Sequence, residues 1–227
     1  MKEYTDSIDA RLTGRHKKCV KFCGDLKDKK ILNIGCYNGW FEKLAIENDC
    51  AEIIGADKNE NNLLNAKFQV RKKNVKFLKV SALGLAQFEA NYFDLITMFD
   101  VLEHLPRNTE ERCLSRVRRV LKKNGDLIIS TPNESFCSKI LDPAWYFGHS
   151  HYSKENIGGI LSKAGFKVEK IDYGGGSYEL FSMILLYIFK WIFRREIPFK
   201  SWFEKKRGKE YFNNRAFVTL FIKAVKA

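Results

Sequence analysis

Residues 31–40 read ILNIGCYNGW, a short apolar run that breaks into a turn bracketed by Gly35 and Gly39. That pattern predicts a buried strand feeding a tight turn and then a helix. Glycine takes left-handed backbone without strain and lets the main chain approach a ligand closely. The helix start near Trp40 would offer unpaired N–H groups to an anion. Two familiar phosphate loops do not fit. A G-x-G-x-x-G loop needs its third glycine at position 40, where Trp40 stands, and a Walker loop needs a Gly-Lys-Ser/Thr ending that the chain lacks. Neither NAD nor ATP is the expected ligand.

Working outward, the runs KILNIG (30–35), EIIGAD (52–57), VKFLKV (75–80), FDLITMFD (93–100) and GDLIISTP (125–132) are short, apolar and bounded by turn residues. Several are hydrophobic throughout, as parallel strands covered on both faces are. Helical patterns lie between them. Over 108–123, Asn108 with Glu111 forms a capping-box pattern. Leu114, Val117 and Leu121 share one face there, and Lys122, Lys123 and Gly125 supply a stop. A second helix is expected to start at Ser153, carry Ile157, Ile160 and Leu161, and stop at Gly165. Strand and helix alternate five times, which predicts an α/β domain with a parallel sheet and right-handed crossovers. The runs FKVEKIDY (166–173) and FVTLFIKAVKA (217–227) read as two more strands. The expected organisation is one domain over 1–227, with an N-terminal helical segment at 1–28 and an insertion at 177–214.

The 227 residues can bury a large core, and 45% hydrophobic content with four prolines excludes a mostly disordered chain. The polar start MKEYTDSIDARLTGRH carries no secretory signal, so a cytoplasmic location is expected. Six cysteines without paired spacing read as buried free thiols. A net charge of +13 favours an anionic partner: nucleic acid, a membrane surface or a phosphorylated substrate.

Ligands of open α/β sheets bind beyond the carboxyl ends of the strands. Strand one ends in Gly35-Cys36-Tyr37-Asn38-Gly39. Strand two ends in Asp57, 18 residues past Gly39 and followed by Lys58. A carboxylate there can accept both hydroxyls of a ribose, while a helix N-cap role is the alternative. Strand three ends at Ser81-Ala82-Leu83 and strand four at Asp100, followed by VLEHLP.

In order, ILNIGCYNG, IIGADKN, FDLITMFDVLEHLP, RVLKKNGDLIISTPN and HYSKENIGGILSKAGFKVEKID resemble a class I S-adenosylmethionine-dependent methyltransferase, nearest the ubiquinone-type O-methyltransferases. The resemblance covers about 28–174 and the last strand. It implies a three-layer, Rossmann-like sheet of seven strands, mostly parallel with an antiparallel last strand. It implies S-adenosyl-L-methionine as cofactor, with Gly35 and Gly39 cradling the methionine end and Asp57 binding the ribose; Asn33, Cys36 and Lys58 are further cofactor-binding candidates. Ser81 and Ala82 would lie beside the adenine, and Asp100 under the sulfonium. Three positions depart from the family: Asn33 replaces an acid, Tyr37 a glycine, and Ser81 an Asp that often meets the adenine amine. Each is expected to weaken cofactor binding by about 1 kcal/mol.

Methyl transfer needs alignment of nucleophile and methyl, and a hydroxyl nucleophile also needs a base or a metal. His104 or His151 could be the base. Some relatives, quinone-type O-methyltransferases and small-RNA 3′-end methyltransferases, hold a divalent metal with an acid-x-x-Glu-His set and a later histidine. Asp100, Glu103, His104 and His149 are the candidates here. If Asp100 stays at the cofactor, that set lacks a third ligand.

The insertion is apolar on nearly every helical face from 180 to 193, too short for a bilayer span of about 20 residues. From Lys190 to Arg215 nine Lys/Arg stand against three Asp/Glu, which is +6 of the chain's +13. Such a segment suits an interfacial helix on an anionic membrane, a lid or an interface between copies. The leading expectation is methyl transfer to a small-molecule or lipid-like acceptor, O-methylation preferred, with possible peripheral membrane contact. The alternatives are an RNA methyltransferase, disfavoured because no RNA-binding module accompanies the domain, and a catalytically silent relative that kept the fold.

Overall fold

A computed structural model describes residues 12–135, 148–189, 194, 200–213 and 216–227. Residues 1–11, Cys137 and parts of the insertion (190–193, 195–199, 214–215) lie outside the described residues.

The order is α1 (Gly14–Cys23), β1 (Lys30–Ile34), α2 (Trp40–Glu47), β2 (Glu52–Asp57), α3 (Glu60–Gln69), β3 (Val75–Lys79) and β4 (Phe93–Phe99). Then come α4 (Glu110–Val120), β5 (Leu121–Pro132), α5 (Lys154–Lys163), β6 (Phe166–Gly174), α6 (Ser177–Ile188), α7 (Lys200–Glu210) and β7 (Thr219–Lys226). The seven strands form one sheet in the order β3-β2-β1-β4-β5-β7-β6. β7 runs antiparallel to both β5 and β6, and the other pairs are parallel.

Alternation within the strands explains the layering. Ile31, Ile53, Leu95 and Ile128 point to one face and pack with Phe22, Phe41 and Leu44 of α1 and α2. Leu32, Ile54, Ile96 and Ile129 point to the other and pack with Leu114, Val117, Ile157 and Leu161 of α4 and α5. Both faces are therefore covered, which is why the central strands carry apolar residues on both sides rather than on one. The five described cysteines (Cys19, Cys23, Cys36, Cys50, Cys113) are buried free thiols.

Two boundaries differ from the sequence pattern. The fourth helix begins at Glu110 with Thr109 at its N-cap and no side-chain capping bond. Asn108 instead takes a left-handed turn at φ 65°. It also ends at Val120, because Leu121 through Gly125 are drawn into β5, where a register shift opposite Phe93 to Leu95 takes up the extra residues. The helix predicted from Ser153 forms as expected, with the Ser153 hydroxyl accepting from the Asn156 N–H at 3.1 Å.

The described residues after β6 include the helix pair α6 and α7. The Glu210 carboxylate accepts from the N–H groups of Gly176, Tyr178 and Glu179 at 2.9 to 3.1 Å, satisfying the start of α6. Arg207 clamps buried Glu179 with two bonds of 2.7 and 2.8 Å. α7 then rests on α1. A Cβ on Gly14 would stand 2.6 Å from the Gly208 Cα, so the helices meet backbone to backbone, whereas a Cβ on Gly208 would meet nothing within 4 Å. Gly14→Ala is expected to lower stability by about 1–3 kcal/mol through overpacking. Gly208→Ala should be neutral or stabilising by up to about 1 kcal/mol. Urea denaturation of the two variants checks the contrast.

Candidate functional site

The carboxyl ends of β1, β2 and β4 open into one cavity of about 910 Å³, roofed by α1. Its floor is the turn that leaves β1. Gly35, Tyr37 and Gly39 all have left-handed backbone, at φ 78°, 49° and 81°. Gly35 must be glycine twice over, because a Cβ there would also lie 2.5 Å from the Val101 Cγ2. The turn is tied to β2 by Gly35 N–H to the Ala56 carbonyl (2.7 Å) and by Tyr37 N–H to Asp57 Oδ2 (3.0 Å).

Asp57 is nearly buried and lines the cavity. Its oxygens also accept from Asn59 N–H (2.8 Å) and Asn62 Nδ2 (3.3 Å). The cap of α3 is Asn59, whose side chain receives the Asn61 N–H, so Asp57 is not the N-cap. All of its partners are neutral donors, and a carboxylate with four lone-pair positions keeps capacity for a ligand hydroxyl. Lys58, Ser81 and Ala82 continue the same wall.

Beneath the turn, Asn33 is buried and lies outside the cavity wall. Its Nδ2 donates to Glu42 Oε1 and its Oδ1 accepts from Thr97 Oγ1, both at 2.8 Å. A chain of three polar side chains thus links α2 to β1 and β4. The acid absent at position 33 is present at 42, where burial pushes the carboxyl up to about 8. Cys36 and Gly39, also expected at the ligand, stand off the wall. Cys36 packs with Leu63, Ala66 and Phe77, and the Cβ-less face of Gly39 backs onto Ala66.

The other end of the cavity is walled by Trp40, Phe99, Leu105 and Pro106 together with Arg15, His16, Asp100 and His104. Asp100, itself left-handed at φ 55°, accepts from the Arg15 guanidinium and from Ser130 Oγ at 2.9 Å. The His16 ring packs against Trp40, tilted by 43° with centroids 4.4 Å apart, and its Nδ1 receives the Thr13 N–H at 3.2 Å. That bond assigns the ring proton to Nε2, so neutral His16 faces the site as a donor. His104 meets the edge of His149 at 4.4 Å between centroids. Burial, His149 and Lys58 depress the His104 pKa, and Asp100 opposes them, so the ring is neutral at pH 7.

The remaining candidates diverge. Glu103 is buried away from the cavity, accepting from Thr131 Oγ1 at 3.1 Å, and burial with the nearby Asp100 raises its pKa. His151 is buried outside the wall, beside the bridge between Asn133 and Tyr152. Asp100, Glu103, His104 and His149 therefore do not converge, and among the described residues no three His, Cys, Asp or Glu side chains are gathered as a metal requires. Sequence reasoning missed Arg15, His16, Asn62 and Phe99. Only Phe99 carried a signal, as the residue just before the strand-end Asp100.

A strand order of 3-2-1-4-5-7-6 with a glycine turn at the end of β1 and an acid at the end of β2 defines a Rossmann-like class of ligand-binding domains. Residues 8–171 match the family described as Methyltransferase domain, and the chain belongs to that family. Among curated relatives, the ubiquinone biosynthesis O-methyltransferase of Pelagibacter ubique is 31% identical over 119 residues, 51% of this chain and 47% of that protein. The chain thus spans about half the length of the curated relatives it matches. An S-adenosylmethionine dependent methyltransferase from Mesorhizobium loti superposes with a TM-score of 0.67 at 14% identity, covering 93% of this chain and 97% of that one. The [4+2]-cyclase SpnF superposes with 0.69 at 16%, covering 92% and 80%. At such identities the likeness concerns the fold alone.

The buried acid under the turn makes stability depend on pH. Glu42 has an ordinary value of 4.5 when unfolded and about 8 when folded. Between these values the folded chain keeps a proton that the unfolded chain has lost, so stability falls as pH rises and levels off above 8. Glu42→Gln keeps an acceptor for Asn33 and cannot ionise. Its stability relative to the parent should rise from pH 5 to 8 by at most about 1.4 kcal/mol per pH unit, read from melts across that range.

Proposed function

We propose that this chain transfers a methyl group from S-adenosyl-L-methionine to a hydroxyl of a small, apolar or lipid-like acceptor. The observation that carries the reading is the single cavity joining polar strand ends to an aromatic wall. The cofactor half fits such a ligand. Gly35 has no room for a side chain, Asp57 offers a partly used carboxylate suited to a ribose diol, and the volume suits a nucleoside with its amino-acid tail. In this reading Gly35, Asp57, Lys58, Ser81 and Ala82 hold the cofactor, and Asp100 faces its sulfonium end. Asn33, Cys36 and Gly39 shape the turn from behind.

When bound, the cofactor supplies an electrophilic methyl with a neutral thioether as leaving group. The chain's own work is alignment and proton removal. Trp40, Phe99, Leu105 and Pro106 exclude water and present a flat or apolar acceptor, and His104, neutral at pH 7, accepts the hydroxyl proton. His16 donates from Nε2 to an acceptor oxygen.

Calorimetry with S-adenosylhomocysteine tests the cofactor half. Binding is expected, and Asp57→Ala should weaken it by at least about tenfold, from the loss of hydrogen bonds to the carboxyl group. Absence of binding by the parent chain would sink the proposal. In assays with catechols and alkylated phenols, His104→Gln should slow transfer by about 10²–10⁴-fold and leave S-adenosylhomocysteine affinity nearly unchanged.

A lipid-like acceptor is supported by the surface of α6 and α7. Tyr178, Phe181, Trp202 and Phe212 are all at least 38% exposed, and Lys206 lies over the Trp202 and Tyr178 rings at 5.6 and 5.7 Å. No described helix is long and apolar enough to cross a membrane. Aromatic rings framed by lysines suit contact with an anionic bilayer surface. Flotation should show binding to vesicles containing phosphatidylserine, little to pure phosphatidylcholine, and a clear loss in the Phe181→Ala/Trp202→Ala variant. Equal flotation of parent and variant would remove this part of the reading.

A further inference from the structure

The charges at the transfer end of the cavity do not match those at its other end. Asp57 and Asp100 are the two acids in the wall, against the cations Arg15, Lys43 and Lys58. Asp57 is bonded by neutral donors, whereas Asp100 is held by the guanidinium of Arg15, reaching 85 residues along the chain from α1. Arg15 is itself incompletely satisfied: its Nε is buried without a partner among the described residues. A carboxylate in this place would, alone, bind a neighbouring sulfonium strongly. Paired to Arg15, it cannot.

We infer that Arg15 is a specificity-determining residue that sets how the site responds to charge on the cofactor, holding Asp100 neutralised so that the cationic form is not bound tightly in the ground state. The inference rests on the cofactor reading above. S-adenosylmethionine and S-adenosylhomocysteine share carboxylate, ammonium and nucleoside and differ by one methyl and one positive charge at sulfur. That charge leaves the sulfur during transfer. An Asp100 free of Arg15 would therefore stabilise the starting state more than the transition state, which lowers rather than raises the rate. With Arg15 in place, the field at sulfur is nearly balanced or slightly positive, and loss of the sulfonium charge is unopposed.

The geometry also explains why the cation comes from α1. The Arg15 side chain approaches Asp100 across the open end of the cavity, opposite Ser130 on β5, which holds the same oxygen from below. α1 is fixed in turn by the Thr13 cap and by its backbone contact with α7 at Gly208. The guanidinium is therefore positioned by packing and does not depend on a ligand.

Calorimetry with both ligands on the parent chain, Arg15→Gln, Arg15→Lys and Asp100→Asn tests this. The quantity read is the ratio of the two dissociation constants within each protein, which cancels general damage to the pocket. Arg15→Gln should shift the ratio about tenfold toward S-adenosylmethionine, as one unit charge removed at short range in a partly shielded site would. Arg15→Lys, which keeps the charge, should leave it within about threefold of the parent. Asp100→Asn should shift it the other way. If the parent binds both ligands and Arg15→Gln keeps the parental ratio, the inference fails and the cofactor reading stands. If Arg15→Gln melts below the assay temperature, Asp100→Asn decides: an unchanged ratio there overturns the inference. If the parent binds neither ligand, the cofactor reading fails and takes the inference with it.

Discussion

The chain can leave β1 only through a left-handed turn, and the cavity takes its form from the way that turn is held. Three of five residues, Gly35, Tyr37 and Gly39, sit at positive φ, one of them with a large side chain that must tolerate the strain. Tyr37 tolerates it because its N–H is fixed by Asp57 and its ring, 60% exposed, meets no obstacle. From beneath, Glu42, Asn33 and Thr97 join α2, β1 and β4 in one hydrogen-bonded chain. The central place of β1, between β2 and β4, makes both anchors available, since each neighbour contributes one.

A consequence is that the two acids at the strand ends are prepared for different work. Asp57 spends its bonds on backbone and amide N–H groups and keeps capacity to accept more. Asp100 spends its bonds on Arg15 and Ser130, which remove most of its charge from the cavity. A single polarity along the cavity would serve a uniformly charged ligand. The split polarity suits one that is rich in hydroxyls at one end and changes charge at the other.

The sheet was legible in the sequence because its signals are local: apolar runs of six to eight residues bounded by turn residues, a glycine turn after the first and acids at the tips of the second and fourth. Its seven strands and antiparallel last strand came from the resemblance and agree with the structure, whereas the strand order became visible only in the fold. The wall residues were legible where they lie at or just past a strand end, as Gly35, Asp57, Ser81 and Asp100 do. Arg15 and His16 were not, since nothing in the composition of a polar N-terminal segment says that it will fold across the cavity. The role of Glu42 was hidden for another reason. Asn33 read as the loss of an acid, and the compensating carboxyl comes from the helix nine residues later, a pairing visible only once the turn is built. Asn108 was misread because a capping pattern and a left-handed turn favour the same residue.

The sequence Asp-x-x-Glu-His shows why strand-end motifs need their surroundings. A 3₁₀ turn at Leu102–His104 sends consecutive side chains to opposite environments, Glu103 inward to Thr131 and His104 to the cavity wall. Asp100 is meanwhile drawn toward α1 by Arg15. The same five letters could hold a metal only if Asp100 and Glu103 both turned to the side of His104. That would strand Arg15 without its carboxylate and leave Thr131 without its acceptor. Opposing charge on α1 thus decides the chemistry of a motif carried by β4, and a likeness of fold that extends to a cyclase cannot make that decision.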